Sequence, residues 1–229
     1  MNKIYLYRIK TKKTIGEFYK SFKNFDTKDS KFSFNIECFN KDILEVKSFE
    51  KIKSKIKVIS PNGDLNFIEY ETYQNIIFSL FIYQENLYLA THNPPRSVRS
   101  FFNLFSLIAG QGYSIEELNF NLSSFADYFT ANYNCSIKFV EIEKISLNHQ
   151  SYANVEVFSS RNALEDFNEF IEKNNLNLNK ISIKINNLFS DKSITFSKKG
   201  IIQSNFYDPS LSLSSNEIFK YIIEIITLE

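Results

Sequence analysis

Two apolar periods alternate along this chain, and each predicts its own kind of element. Residues 4–9 read as a strand. Ile15, Phe18, Tyr19, Phe22 and Phe25 recur at helical spacing and predict a helix over 14–25. Phe32, Phe34, Ile36 and Cys38 alternate with Lys31, Ser33, Asn35 and Glu37, the signature of a half-buried strand. Residues 41–50 fit either period. Residues 52–59 and 65–73 form the clearest hairpin, joined by Ser60-Pro61-Asn62-Gly63-Asp64. Pro suits the first central position of a type I turn, and Gly accepts the left-handed residue that follows. A second hairpin is expected from 76–83 and 87–91 around Gln84-Glu85-Asn86.

His92-Asn93-Pro94-Pro95 ends that meander, and a helix is expected from Pro95 to Ala109, closed by Gly110. Its body, residues 101–108, is apolar nearly all round and should be buried. After a joint at 111–113, the pattern favours a short strand over 117–122 and a helix over 124–133. Strands at 135–147 and 153–158, a helix at 161–174 with Ala163, Leu164, Phe167, Phe170 and Ile171 inward, and a strand at 181–185 follow. A hairpin over 193–206 around Lys198-Lys199-Gly200 and a helix at 214–228 complete the chain. The expected class is α+β, with largely antiparallel sheets and packed helices. Two similar-sized halves are expected, 1–110 with a basic antiparallel sheet and 113–229, either separate or as one continuous domain.

Composition narrows the function classes. With 43% apolar and 23% charged residues in 229, the chain is globular rather than disordered. Phe (24), Tyr (13) and a Lys excess over Arg of 23 to 4 share A/T-rich codons, which points to a low-GC bacterial or phage genome. Phe abundance then reflects core filling within that codon supply. Cys38 and Cys135 form no metal spacing and read as thiols of a reducing cytosol. No signal-peptide segment opens the chain, and the longest apolar runs fall well short of the ~20 residues a membrane span needs. A cytoplasmic protein with no membrane partner is expected, and a role in mobile-element or host-defence biology would suit it.

Charge changes the picture most. Residues 1–60 carry 15 Lys plus Arg against 7 Asp plus Glu, a balance of +8, whereas 61–229 carry 12 against 19, a balance of −7. Such asymmetry points to a polyanionic partner or to association of unlike halves. Within the basic part, Lys51, Lys53, Lys55 and Lys57 alternate with apolar residues, so a strand there sets four ammonium groups on one face, ~6.6 Å apart. That step suits phosphates along an extended nucleic-acid strand. The same lysines also suit an edge strand that resists pairing. The turn register further sets Lys55 opposite Glu69 and Lys53 opposite Glu71.

Arg96 and Arg99 fall in the first turn of the helix expected from Pro95. Two guanidinium groups at the positive end of a helix call for an anion, either a phosphate or an internal or partner carboxylate. His92 reads as a structural turn residue, and His149 has no partner the sequence identifies. Asp64, Glu69 and Glu71 resemble in outline the acidic set of a Mg²⁺-dependent nuclease, but Glu71 stands where the pattern needs Lys. No phosphate-binding glycine loop and no nucleophile elbow occurs, and neither cofactor nor metal is expected.

The leading expectation is therefore a non-catalytic cytoplasmic subunit of a bacterial or phage assembly. It would contact DNA or RNA backbone through Lys51, Lys53, Lys55, Lys57, Arg96 and Arg99. The alternative is a structural subunit that self-associates or binds a partner protein, with a metal-dependent nuclease ranked below both.

Overall fold

The alternating segments pair into one antiparallel sheet of eleven strands, flanked by five α-helices among the described residues. The structure is a computed structural model that describes residues 2–27, 30–148, 151–170, 177–187 and 190–229. The first half contributes β1 (Asn2–Lys10), α1 (Ile15–Lys23), β2 (Phe32–Phe39), β3 (Ile43–Ile59), β4 (Leu65–Tyr83), β5 (Asn86–His92) and α2 (Arg99–Ala109). The second contributes β6 (Ser114–Glu117), α3 (Leu122–Asn132), β7 (Cys135–Asn148), β8 (Ser151–Phe158), α4 (Ala163–Phe170), β9 (Leu178–Asn187), β10 (Ser190–Ser197), β11 (Ile201–Ser204) and α5 (Ile218–Thr227). The fold class is α+β, as the sequence pattern implies.

Strand order is β2-β3-β4-β5-β1-β11-β10-β9-β7-β8, so β1 joins the two halves. One edge of β1 pairs with β5; its other edge takes β11 along residues 2–5 and β6 along residues 7–10. Two apolar clusters form. Even positions of β3 and β4 (Leu44, Val46, Phe78, Leu80) meet Phe18 and Phe22 of α1 and Phe101 and Phe105 of α2. Odd positions point the other way, so Ile43 and Phe81 join a larger cluster with α3, α4, α5 and the second-half strands. Period two in the strands thus sorts the helices onto opposite faces.

Several elements differ from the sequence reading. The ambiguous segment 41–50 is the inner part of β3, where buried Leu44 and Val46 are interleaved with buried Glu45. The second hairpin closes in two residues, because Tyr83 pairs directly with Asn86. Gln84 and Glu85 both adopt left-handed backbone, with φ of 46° and 64°. Helix α2 starts at Arg99, not Pro95, and it is not buried all round: Phe101, Leu104, Phe105 and Ile108 face the sheet while Leu107 stands in solvent. Asn93 turns the chain with φ of 43°, and the first helical bond runs from Phe102 N–H to the Val98 carbonyl, so Val98 is the N-cap and the prolines stay in the loop before it. The short strand before α3 lies at 114–117, where it can pair with β1. Ile171 and the end of the helix expected over 161–174 lie outside the described residues.

Candidate functional site

The longest hairpin outruns the sheet that supports it. On its outer edge, β3 is paired by β2 as far as Phe32 opposite Glu50, with a last bond from Lys51 N–H to the Lys31 carbonyl. On the other side, β4 is paired by β5 only from Ile77 onward. Residues 52–72 therefore form a two-stranded arm that, among the described residues, pairs only with itself, in the register Ile52–Thr72 through Ile59–Leu65, and leaves both edges bare. The β-branched Ile52, Ile56, Val58 and Ile68 favour extended backbone there. The turn is the expected one: Gly63 N–H bonds the Ser60 carbonyl at 2.9 Å, and Gly63 has φ of +87°.

The root of the arm is fixed by polar contacts to α2. Glu50 accepts a 2.7 Å hydrogen bond from the Ser100 hydroxyl, in the first turn of α2, and pairs with Lys31 at 2.5 Å. A carboxylate there also complements the positive end of that helix.

Directly opposite residues share a face, so the register assigns each side of the arm. The odd face carries Lys51, Lys53, Lys55, Lys57 and Ile59 on β3, against Tyr73, Glu71, Glu69, Phe67 and Leu65 on β4. The even face carries Ile52, Ser54, Ile56 and Val58 against Thr72, Tyr70, Ile68 and Asn66. The row of four lysines thus exists as the alternation predicts. Two of the four meet carboxylates: Lys55 pairs with Glu69 at 2.6 Å, and Lys51 reaches diagonally to Glu71 at 2.7 Å. The Lys51 contact holds the Glu71 carboxyl below the usual carboxylate range, and Glu71 in turn raises the Lys51 ammonium. Lys53 and Lys57 form no ion pair among the described residues. With Asp64, the segment 51–73 carries four cations and three acids, a net +1.

Arg96 and Arg99 do not join that row. Arg96 lies in the loop before α2 and Arg99 is its first residue; both are exposed, and neither forms an ion pair among the described residues. Helix α2 covers the even face of β3 and β4, so the two arginines enter on the side opposite the lysines. Strand parity thus sets the four lysines on one face of β3 and the two arginines beside the other. Of the nuclease-like acids, Glu69 and Glu71 are engaged by lysines and Asp64 sits in the turn. Among the described residues, no group of three or more His, Cys, Asp or Glu side chains is placed to hold a metal ion.

What the charge reading passes over is the arm's apolar content. Seven of the fourteen exposed large apolar side chains among the described residues lie on it, Ile56, Val58, Ile59, Leu65, Phe67, Ile68 and Tyr70, and Tyr73 stands at its root. Phe67 and Tyr73 are each 65% exposed. A signal existed in the sequence, since the arm's apolar residues occupy both parities, whereas a hairpin lying on a core needs only one.

A second polar cluster lies inside the protein. His92, the last residue of β5 rather than a turn residue, is buried; its Nε2 is 2.9 Å from the Ser79 hydroxyl and its Nδ1 is 2.7 Å from the Tyr207 hydroxyl. Burial pushes the imidazole down to about 4, so it is neutral at neutral pH. Glu45, also buried, accepts from Leu213 N–H and is raised by burial, with hydrogen bonds from Leu213, Ser79 and Ser214 opposing. These contacts pin the segment 205–217 across β3, β4 and β5. His149 lies outside the described residues. Cys38 and Cys135 are free, half-buried thiols, both raised by burial. No helix among the described residues is long and apolar enough to cross a membrane.

No protein-family model matches the chain, and no curated protein matches it.

Proposed function

We propose that this chain is a non-catalytic cytoplasmic binding subunit of a larger assembly, and that the 52–72 arm is the element by which it grips a protein partner. One observation carries the reading: a ribbon with both edges unpaired among the described residues presents seven large apolar side chains to solvent. Isolated two-stranded ribbons are only marginally stable in water, and contiguous exposed apolar surface of this kind marks interaction sites. Bare strand edges add unsatisfied backbone groups that a partner strand can pair. The arm, with three lysines against three acids, has no net charge and supplies little long-range attraction to a polyanion.

A nucleic-acid partner is the second reading, favoured by one observation: Lys53 and Lys57 stand unpaired on the odd face. At ~3.3 Å per residue their positions are ~13 Å apart along the strand, which lets them contact two separate phosphates of DNA or RNA backbone.

The test is an arm-shortened variant. Ile52 and Thr72 are directly opposed, so Asn-Gly in place of residues 53–71 closes the ribbon with a two-residue turn. The expected result is a cooperative melt close to that of the full chain, a far-ultraviolet spectrum reduced only by the strand removed, and loss of the complex recovered from source cells under native conditions. Recovery of the same complex by the shortened chain would contradict the proposal.

A further inference from the structure

We propose that the arm's partner is a second copy of this chain, and that its seat is the free edge of β8 on that copy. The inference rests on the reading of the arm as the docking element and adds the identity of the occupant.

Strand β8 closes the sheet at the end opposite β2, and among the described residues its outer edge pairs with no strand. Its residues alternate, half-buried and exposed, and the exposed set is Tyr152, Asn154, Glu156 and Phe158. Tyr152 and Phe158 are 66% and 74% exposed, among the most open apolar side chains outside the arm. Glu156 lies between them. Its register partner on β7 is Glu141, and like charges directly opposite repel. Glu141 is taken by Lys180 at 2.6 Å, and Glu156 forms no ion pair among the described residues. The seat therefore offers two apolar rings, an uncompensated carboxylate and a row of free backbone groups.

The arm offers the complement: exposed apolar side chains, a free β3 edge, and Lys53 and Lys57, which form no ion pair among the described residues. Charge over the whole chain agrees. Residues 1–113 carry 17 Lys plus Arg against 11 Asp plus Glu, a balance of +6; residues 114–229 carry 10 against 15, a balance of −5. A contact between the first half of one copy and the second half of another joins opposite charges.

Size decides the symmetry. An arm of eight residue pairs is about 26 Å long and about 10 Å wide, so one face offers about 260 Å². A stable interface takes about 800 Å² from each partner. One seated arm falls far short, whereas reciprocal exchange puts an arm and a seat of each copy in the contact and doubles the buried area to about 520 Å² per copy, close to the low end of specific interfaces. A two-fold dimer follows, rather than an open chain held by single contacts.

Sedimentation velocity at micromolar concentrations, at low and high salt, tests this. The expected wild-type mass is twice 26.9 kDa at low salt and falls as salt rises. Glu156→Lys should weaken the dimer about tenfold. Adding Lys53→Glu and Lys57→Glu to that variant should restore it, which a merely misfolded protein could not do. These positions are exposed, and circular dichroism checks that each variant folds. A wild-type chain that stays monomeric at low salt overturns the second-copy inference and leaves the arm free to bind a different protein. A dimer that survives arm shortening overturns it as well. A mass increase that vanishes on nuclease treatment assigns the arm to nucleic acid and overturns both readings.

Discussion

The Nδ1 atom of His92 stands 2.7 Å from the Tyr207 hydroxyl, a contact between residues 115 positions apart that ties the end of β5 to the segment leading into α5. Both imidazole nitrogens are engaged in a site closed to water, and that closure fixes the protonation state. Burial lowers His92 from 6.5 to about 4, so the unfolded chain binds the proton more tightly than the folded one. Its stabilising contribution is fully present above pH 6.5 and is lost as pH falls from 6.5 toward 4, about 3 kcal/mol in all. Glu45 acts in the opposite sense: its raised folded value favours the fold below the ordinary carboxylate range and is lost as pH rises through that value. Urea unfolding across this range should show falling stability in the wild type below pH 6.5 and a flatter profile in His92→Gln.

The Gln84-Glu85 turn stores backbone strain, because both residues are left-handed and neither is Gly or Asn. Replacing the pair by Asn-Gly, which this two-residue turn favours, should stabilise the protein by about 1 kcal/mol. Thermal melting reads the gain, and an unchanged or lower melting temperature would contradict the turn geometry.

Gly200 and Gly63 are both left-handed, with φ of +74° and +87°, but they differ in surroundings. A Cβ on Gly200 would stand 2.8 Å from the Leu6 carbonyl oxygen, in the turn that abuts β1; one on Gly63 would meet nothing within 4 Å. Gly200→Ala should therefore destabilise by about 3 kcal/mol and Gly63→Ala by about 1 kcal/mol. Equal effects in denaturant titrations would contradict this contrast.

Two unpaired lysines also limit how strongly any nucleic acid can respond to salt. Binding carried by Lys53 and Lys57 alone should show a log–log slope of about −1.4 to −1.8, half that of a four-lysine row. Fluorescence anisotropy over a salt series measures it. A slope twice as steep would show that Lys51 and Lys55 leave their carboxylates to bind phosphate.

Much of the fold was legible in local pattern. Pro61-Asn62-Gly63 set the arm's turn, and alternation set four lysines on one face, because both depend only on neighbours in sequence. The diagonal pairing of Lys51 with Glu71, rather than Lys53 with Glu71, depends on side-chain reach across a twisted ribbon. The separation of Arg96 and Arg99 from the lysines depends on which face α2 covers, a tertiary choice. The partners of His92 lie on β4 and beyond β11, beyond any local signal. Residues 41–50 stayed ambiguous because Glu45 and Ser48 are polar yet buried, so burial there does not follow hydropathy.

The central claim is that the 52–72 arm is covered by another polypeptide in the working assembly, and amine-specific cross-linking in source cells tests it most directly. Lys53, Lys55 and Lys57 place reactive groups along the arm itself, and Lys51 adds one at its root. Peptides bearing these lysines should be joined to a second polypeptide, with isotope mixing to distinguish another copy from a different protein. Arm lysines that react fully with the reagent yet link only within their own chain would contradict it.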